Sequence, residues 1–256
     1  IHVATGTDYA ALAVASAQSL RAQEPGLAID LFTDVPDAPG LDVFDRVHPV
    51  PESHPRAKLD CLPLSRFERT LFLDSDTLVT APPGDLFGLL DRFDLALAHD
   101  VRRRSDLIRE DGGAGAPYAF PQMNSGVMLY RRSAEMLAFL AEWRRRYKAE
   151  GVLRDQITLK RLLWESDLRF YVLPPEFNLR RVTMLDAWEP LDAMPTIVHS
   201  HRLLQHLKGG ERITSLPALV GLERRARAAE WAAAGLPDPA EATDPFPAYR
   251  GADASD

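Results

Sequence analysis

The sequence predicts an α/β fold with helices on the faces of a parallel sheet, and three observations carry that reading. The chain opens on a short apolar strand, Ile1 to Thr5, halted at Gly6. A helical pattern follows with Tyr9, Leu12, Ala13, Ser16 and Leu20 on one face, Pro25-Gly26 ends it, and Leu27 to Thr33 forms a second strand. Strand, helix and strand at this spacing make a βαβ unit, which packs helices onto a parallel sheet. Second, Thr70-Leu71-Phe72-Leu73, Phe93 to Ala98 and Val127 to Tyr130 are continuous apolar runs of the kind that fill doubly covered strands. Third, well-marked helices alternate with these runs further down the chain.

The clearest helix runs from an N-cap at Ser133 to a stop at Gly151, with Met136, Leu140, Trp143 and Tyr147 on its buried face. Others are expected over Lys58–Leu62, Asp155–Trp164 and Leu216–Ala234, and further strands over Arg169–Leu173 and Thr196–Val198. Residues 34–55 are proline-rich and aperiodic, and read as an irregular connection. Val101 to Pro121, with Gly112-Gly113-Ala114-Gly115 inside it, reads as a long loop, which in a compact domain is usually functional or mobile. Residues 1–234 are taken as one domain. The stretch 235–256, rich in Pro, Ala and Asp, reads as a flexible tail.

Composition narrows the function classes. With 256 residues, 46% apolar and 26% charged, the chain can bury a substantial core. A net charge of −7 argues against nucleic-acid binding, which needs a basic face; the Arg102–Arg104 and Arg144–Arg146 clusters are short and lie among acids. No apolar run approaches the roughly 18 residues that suggest a membrane span. Cys61 is the only cysteine, which favours a reducing, cytoplasmic setting.

The strongest chemical signal is Leu71-Phe72-Leu73-Asp74-Ser75-Asp76-Thr77, an apolar strand that delivers two carboxylates to its C-terminal end. Residues two apart in an extended segment point the same way, and ligands of open α/β sheets bind just beyond such ends. Paired oxygens suit a hard cation such as Mn²⁺ or Mg²⁺, which neutralises a diphosphate. Alone, the pair equally fits acids capping a turn. Phosphatases of the haloacid dehalogenase type also use Asp-x-Asp, but they carry it on the first strand and place Thr four residues after the first Asp, where this chain has Leu78. Further along, Asn124-Ser125-Gly126 precedes a strand, Asp155-Gln156 opens a helix, and a strand ends in His199-Ser200-His201 with Lys208-Gly209-Gly210 after it. Each has a plain reading as well: a turn, a helix-dipole partner, a surface histidine. Two imidazoles ahead of Lys and Gly point towards a metal and phosphate site.

In this order the segments resemble the nucleotide-diphosphosugar transferases of the GT-A fold, particularly glycosyltransferase family 8 with its glycogenin and bacterial galactosyltransferase members. The likeness rests on Thr7-Asp8-Tyr9 after the first strand, Asp74-Ser75-Asp76, Asn124-Ser125-Gly126, Asp155-Gln156, Leu173-Pro174-Pro175-Glu176-Phe177-Asn178 and the late His…Lys segment, and extends from Ile1 to about Gly210. It implies a Rossmann-like domain with a mixed, mostly parallel sheet, and transfer of a hexose from a nucleoside diphosphate, UDP-glucose or UDP-galactose, to a hydroxyl acceptor with retention of configuration. It also implies a cation, Mn²⁺ or Mg²⁺, held by Asp74, Asp76 and His199, with His201 as the alternative. Thr5, Gly6, Asp8 and Tyr9 would form the base pocket. Lys58, Ser75, Ser125 and Lys208 would lie along the donor, Lys208 against the departing diphosphate. Asp100 and Asn124 would hold the donor sugar, and Asp155 with Gln156 would flank the reacting carbon. The 101–121 loop would cover the donor. The family's late pattern His-x-x-Gly-x-x-Lys-Pro-Trp is altered here, and the Asn common in its base pocket is absent. Two other readings share the scaffold: an inverting transferase with Asp155 or Asp100 as base, and a catalytically silent nucleotide- or carbohydrate-binding protein.

Overall fold

The computed structural model describes residues 1–101, 116–117 and 119–242. Most of the loop expected over 101–121 and the end of the tail from residue 243 lie outside the described residues. The elements in order are β1 (His2–Ala4), α1 (Gly6–Gln23), β2 (Asp30–Thr33), β3 (Arg46–Pro49), α2 (Lys58–Cys61), β4 (Arg69–Leu73), β5 (Thr77–Val79), β6 (Leu95–His99), β7 (Met123–Arg131), α3 (Ala134–Glu150), α4 (Asp155–Glu165), β8 (Phe170–Val172), β9 (Ile197–His199) and α5 (Leu216–Ala233).

β1, β2 and β3 pair in parallel. The second sheet runs β4-β7-β6-β8, with β7 antiparallel to both β4 and β6 and with β6 parallel to β8. Two backbone bonds join the sheets: Ile1 N to Leu71 O at 2.6 Å and Leu73 N to Ile1 O at 3.1 Å, the staggered pattern of a parallel pair. Among the described strands of this joined sheet, β7 is therefore the one running against its neighbours. The expected mixed, mostly parallel sheet is found, and β4 sits inside it, as its unbroken apolar run required.

Period-two alternation splits the core. Leu71 and Leu73 of β4, Ala96 and Ala98 of β6, and Val127 and Leu129 of β7 face the layer containing Ala13, Ala17 and Leu20 of α1. Phe72, Leu95, Leu97, Met128 and Tyr130 face the opposite layer, filled by Met136, Leu140 and Trp143 of α3 and Leu159 of α4. α3 starts where its caps dictate: Ser133 Oγ accepts from Met136 N, and Gly151 at φ 61 closes the last turn.

The 34–55 connection contains a strand that the sequence did not announce. β3 has no buried apolar residue; it is an exposed edge, where Pro49 is tolerated because no further strand needs its missing N–H. A separate two-stranded ribbon pairs β5 antiparallel with β9, setting Thr77 opposite His199. Among the described residues no helix is long and apolar enough to cross a membrane. Cys61 is buried, and burial pushes its thiol up to about 12, so it packs as an inert apolar group.

His2 lies wholly inside, edge-on to Phe44 with ring centroids 5.9 Å apart, and burial pushes its pKa down from 6.5 to about 3. Between those values the unfolded chain binds a proton that the folded one refuses. The contribution of His2 to stability is therefore complete above pH 6.5 and is lost as the pH drops below it, by up to ~1.4 kcal/mol per pH unit. Urea midpoints measured between about pH 4.5 and 7 should fall with acidification, and His2→Leu should flatten the slope. An unchanged slope in the variant would assign the acid sensitivity to other groups.

Candidate active site

The C-terminal ends of β1 and β4, the first turn of α4 and the end of β9 meet the start of β7 around a cavity of about 640 Å³. Strand β4 ends at Leu73, so Asp74-Ser75-Asp76 occupy a turn, where an extended segment had been expected. The turn is pinned on three sides. Asp74 N donates to Gly126 O at 2.8 Å, Thr77 Oγ1 donates to Asp74 O at 2.8 Å, and Ser200 N donates to Asp76 O at 3.1 Å. The carboxylates converge nonetheless. His199 Nε2 lies 3.3 Å from Asp76 Oδ1 and 3.9 Å from Asp74 Oδ2, and the three groups present ligand atoms within 4.8 Å of one another. The imidazole fills the space where Gly126 lacks a side chain: a Cβ there would stand 1.9 Å from His199 Cε1. Burial alone would raise the Asp76 pKa, but His199 and Arg180 outweigh it and hold the carboxyl down at about 2. His201, the alternative ligand, is exposed at the start of the 3₁₀ helix His201–Lys208 and takes no part in the triplet.

A second acidic group, Glu52, His54 and Asp60, is of a different kind. Asp60 already accepts from His54 and Arg144, and Lys148 Nζ lies 3.3 Å from Asp60 and 3.1 Å from Glu52. Its charge is met by protein cations. It braces the wall containing His54 against α3.

Next to the triplet, Lys58 is buried with its ammonium 3.5 Å from both Asp74 Oδ1 and Asp155 Oδ2. It also donates to Ser125 Oγ at 2.9 Å and Ser125 O at 3.2 Å, and lies 5.5 Å over the Phe72 ring. Asp155 is buried at the first turn of α4. It accepts from Ser125 Oγ at 2.7 Å and pairs with Arg56 Nε at 3.1 Å. Burial would raise its pKa, but Lys58, Arg56 and the Ser125 hydroxyl outweigh that and keep it below the usual carboxylate range. Trp143 Nε1 donates to Asp155 O at 2.9 Å, which ties α3 to this helix start.

The remaining predicted residues divide. Thr5, Tyr9, Ser75, Asn124, Ser125 and Gln156 line the cavity, Tyr9 at its rim with 46% of its surface exposed. Gly6 stands just behind, at φ 77, with its N–H on Asp34 Oδ1 at 2.7 Å. Gln156 Nε2 donates to Met123 O at 3.2 Å. Asn124 and Asp100 form one buried pair, Nδ2 to Oδ2 at 3.4 Å, with Asp100 behind the lining. Asp8 and Lys208 are exposed, and neither lines the cavity. Lys208 is the last residue of the 3₁₀ helix His201–Lys208.

Two side chains at the site, Arg56 and Arg180, went unremarked in the sequence, and a third, Asn178, was noted only as the end of the Leu173–Asn178 segment. Arg56 sits two residues before Lys58, and the Arg-x-Lys spacing was its only signal. Arg180 lines the cavity, donates to His199 O at 3.1 Å and draws Asp76 down electrostatically. Asn178 Oδ1 meets His199 Nδ1 at 3.1 Å. Leu179 bridges Val198 in parallel and is fully buried, so residues 178 and 180 on either side of it face the histidine.

No described protein family and no curated protein sequence matches this chain. Solved structures do resemble it. The galactosyltransferase LgtC, in complex with donor and acceptor sugar analogues, aligns at 17% identity and a TM-score of 0.50, over 78% of this chain and 86% of that one. GlyE, a glycosyltransferase of Streptococcus pneumoniae TIGR4, aligns at 23% identity and a TM-score of 0.52, over 77% of this chain and 54% of its own. Mouse xyloside xylosyltransferase 1 in its apo form aligns at 15% identity and a TM-score of 0.53, over 78% and 96%. At such identities the likeness speaks for architecture alone: the fold is the Rossmann-like GT-A fold.

Proposed function

We propose that this chain is a cation-dependent glycosyltransferase that moves a hexose from a nucleoside diphosphate, UDP-glucose or UDP-galactose, to a hydroxyl acceptor with retention of configuration. The observation that carries the reading is the Asp74–Asp76–His199 triplet at the wall of the main cavity. Two carboxylates and an imidazole make a donor set suited to Mn²⁺ or Mg²⁺, and the missing Cβ at Gly126 leaves the ring its place. When bound, the cation supplies a Lewis acid that stabilises charge on the departing diphosphate.

The chain's own groups supply the rest. Tyr9 offers a stacking face at the rim and Thr5 a polar edge for the base. Arg180, beside Asp76, offsets diphosphate charge, the role that the resemblance gave to Lys208. Asp155 is engaged by Arg56, Lys58 and Ser125, and a carboxylate so held is a weak base and a weak nucleophile. That supports giving the assisting role at the reacting carbon to Gln156, whose amide stabilises positive charge growing on the sugar ring, and it weighs against an inverting route with Asp155 as base.

Nucleotide binding should depend on metal. Asp76→Asn should weaken UDP binding in Mn²⁺ by ~10-fold or more and leave the residual binding in EDTA unchanged. Equal affinity with and without Mn²⁺ in the parent protein would defeat the metal assignment. Calorimetry on Arg180→Ala should show UDP affinity falling ~10-fold, as loss of a charged hydrogen-bond donor implies, while Lys208→Ala stays within ~2-fold. The reverse ranking would return the diphosphate contact to Lys208. Gln156→Ala should slow turnover by ~10²-fold with UDP affinity near normal. NMR of freshly formed product should show the donor's anomeric configuration, and an inverted product would overturn both the retaining route and this role for Gln156.

A further inference from the structure

We propose that Asn178 is the positioning residue that sets the tautomer of His199, and that it transmits this choice from the backbone N–H of Gly126 through the side chain of Asn124. A backbone N–H can only donate. Gly126 N donates at 3.0 Å to the side chain of Asn124, so the atom facing it is the carbonyl oxygen Oδ1. The other end of the same amide agrees independently, because Asn124 Nδ2 faces the Asp100 carboxylate at 3.4 Å. Asn178 approaches Asn124 Oδ1 at 3.1 Å, and two carbonyl oxygens cannot hydrogen-bond, so Asn178 presents Nδ2 there. Its Oδ1 is then the atom 3.1 Å from His199 Nδ1, and an oxygen acceptor requires that nitrogen to carry the hydrogen. In the neutral ring Nε2 is left bare, with its lone pair towards Asp76 Oδ1 at 3.3 Å and Asp74 Oδ2 at 3.9 Å.

The relay matters because the two carboxylates pull the other way. A hydrogen on Nε2 would find an acceptor in Asp76, and that tautomer closes the nitrogen to a cation. Asn124, Asn178 and His199 are exposed by only 4%, 3% and 4%, so water does not compete for the amides and their order is fixed by the backbone donor at one end. It follows that the Asn124 amide is committed inside the wall at both ends, and its contribution to the site runs through the histidine. Fixing the imidazole of a ligand by its second nitrogen typically alters metal affinity by about 10- to 100-fold.

The tautomer stands on its own in the metal-free protein; only the affinity consequence rests on the proposed cation site. Long-range ¹H–¹⁵N spectra of the metal-free full chain at pH 9 should show His199 with Nδ1 protonated and Nε2 bare. Asn178→Leu, which removes the acceptor, should move the hydrogen to Nε2 and weaken Mn²⁺ binding about 10- to 100-fold, while Asn178→Asp, which keeps an acceptor, should preserve the parent tautomer. A parent spectrum with Nε2 protonated, or an Asn178→Leu protein with the parent tautomer, overturns the relay even if the leucine variant's affinity changes. A parent protein that binds no Mn²⁺ yet shows Nδ1 protonated would defeat the metal reading and leave the relay standing.

Discussion

The ammonium of Lys58 is the charge on which the site is built. Three carboxylates, Asp74, Asp76 and Asp155, face one cavity, and each is wholly or partly withdrawn from water. Left to themselves they would repel one another. Lys58 lies between two of them at 3.5 Å from each, itself buried, with Arg56 on the outer side of Asp155 and Arg180 beside Asp76. Breaking a buried pair by deleting one partner costs about 3–5 kcal/mol, because the surviving charge stays in the interior unmet. Lys58 makes it physically tolerable to aim paired carboxylates into a half-enclosed space.

Strand β7 turns that charge balance into geometry. Its first four residues each hold a different part of the site. Met123 O receives Gln156, Asn124 receives Asn178, Ser125 links Lys58 to Asp155, and Gly126 receives Asp74 through its carbonyl and gives room to His199. β7 can do this because it runs against its neighbours, so its beginning lies where the parallel strand β4 ends. A parallel strand in that place would offer its C-terminus instead, and the Asn-Ser-Gly segment would sit at the opposite rim of the sheet.

The two halves of the cavity differ in how they are supported. The side containing Lys58 and Asp155 stands on helix starts and strand ends packed into the two main core layers, with Trp143 and Lys58 as buried anchors. The histidine side hangs on the β5–β9 ribbon and its own small cluster of Leu179, Val182, Val198, Leu203 and Leu219. That side is held less by bulk and more by directed bonds, which is why the turn around Asp76, the amide of Asn178 and the guanidinium of Arg180 all converge on it.

What the sequence determined by itself is what depends on neighbours along the chain. The apolar run ending in Asp74-Ser75-Asp76, the helix framed by Ser133 and Gly151, and the helix opening at Asp155-Gln156 follow from local periodicity and caps, and they mark the sheet, its flanking helices and the acidic pair. β3 escaped because an exposed edge strand carries no apolar alternation to read. The tertiary structure alone decided which distant groups meet. His199 reaches Asp76 because the ribbon register sets it opposite Thr77; Asn178 and Arg180 reach His199 because Leu179 bridges Val198; Lys208, exposed at the end of its 3₁₀ helix, is not among the residues lining the cavity. These are pairings between segments more than a hundred residues apart or separated by a turn of unpredictable pitch, and no local pattern encodes a register, because register is set by the packing of the whole sheet.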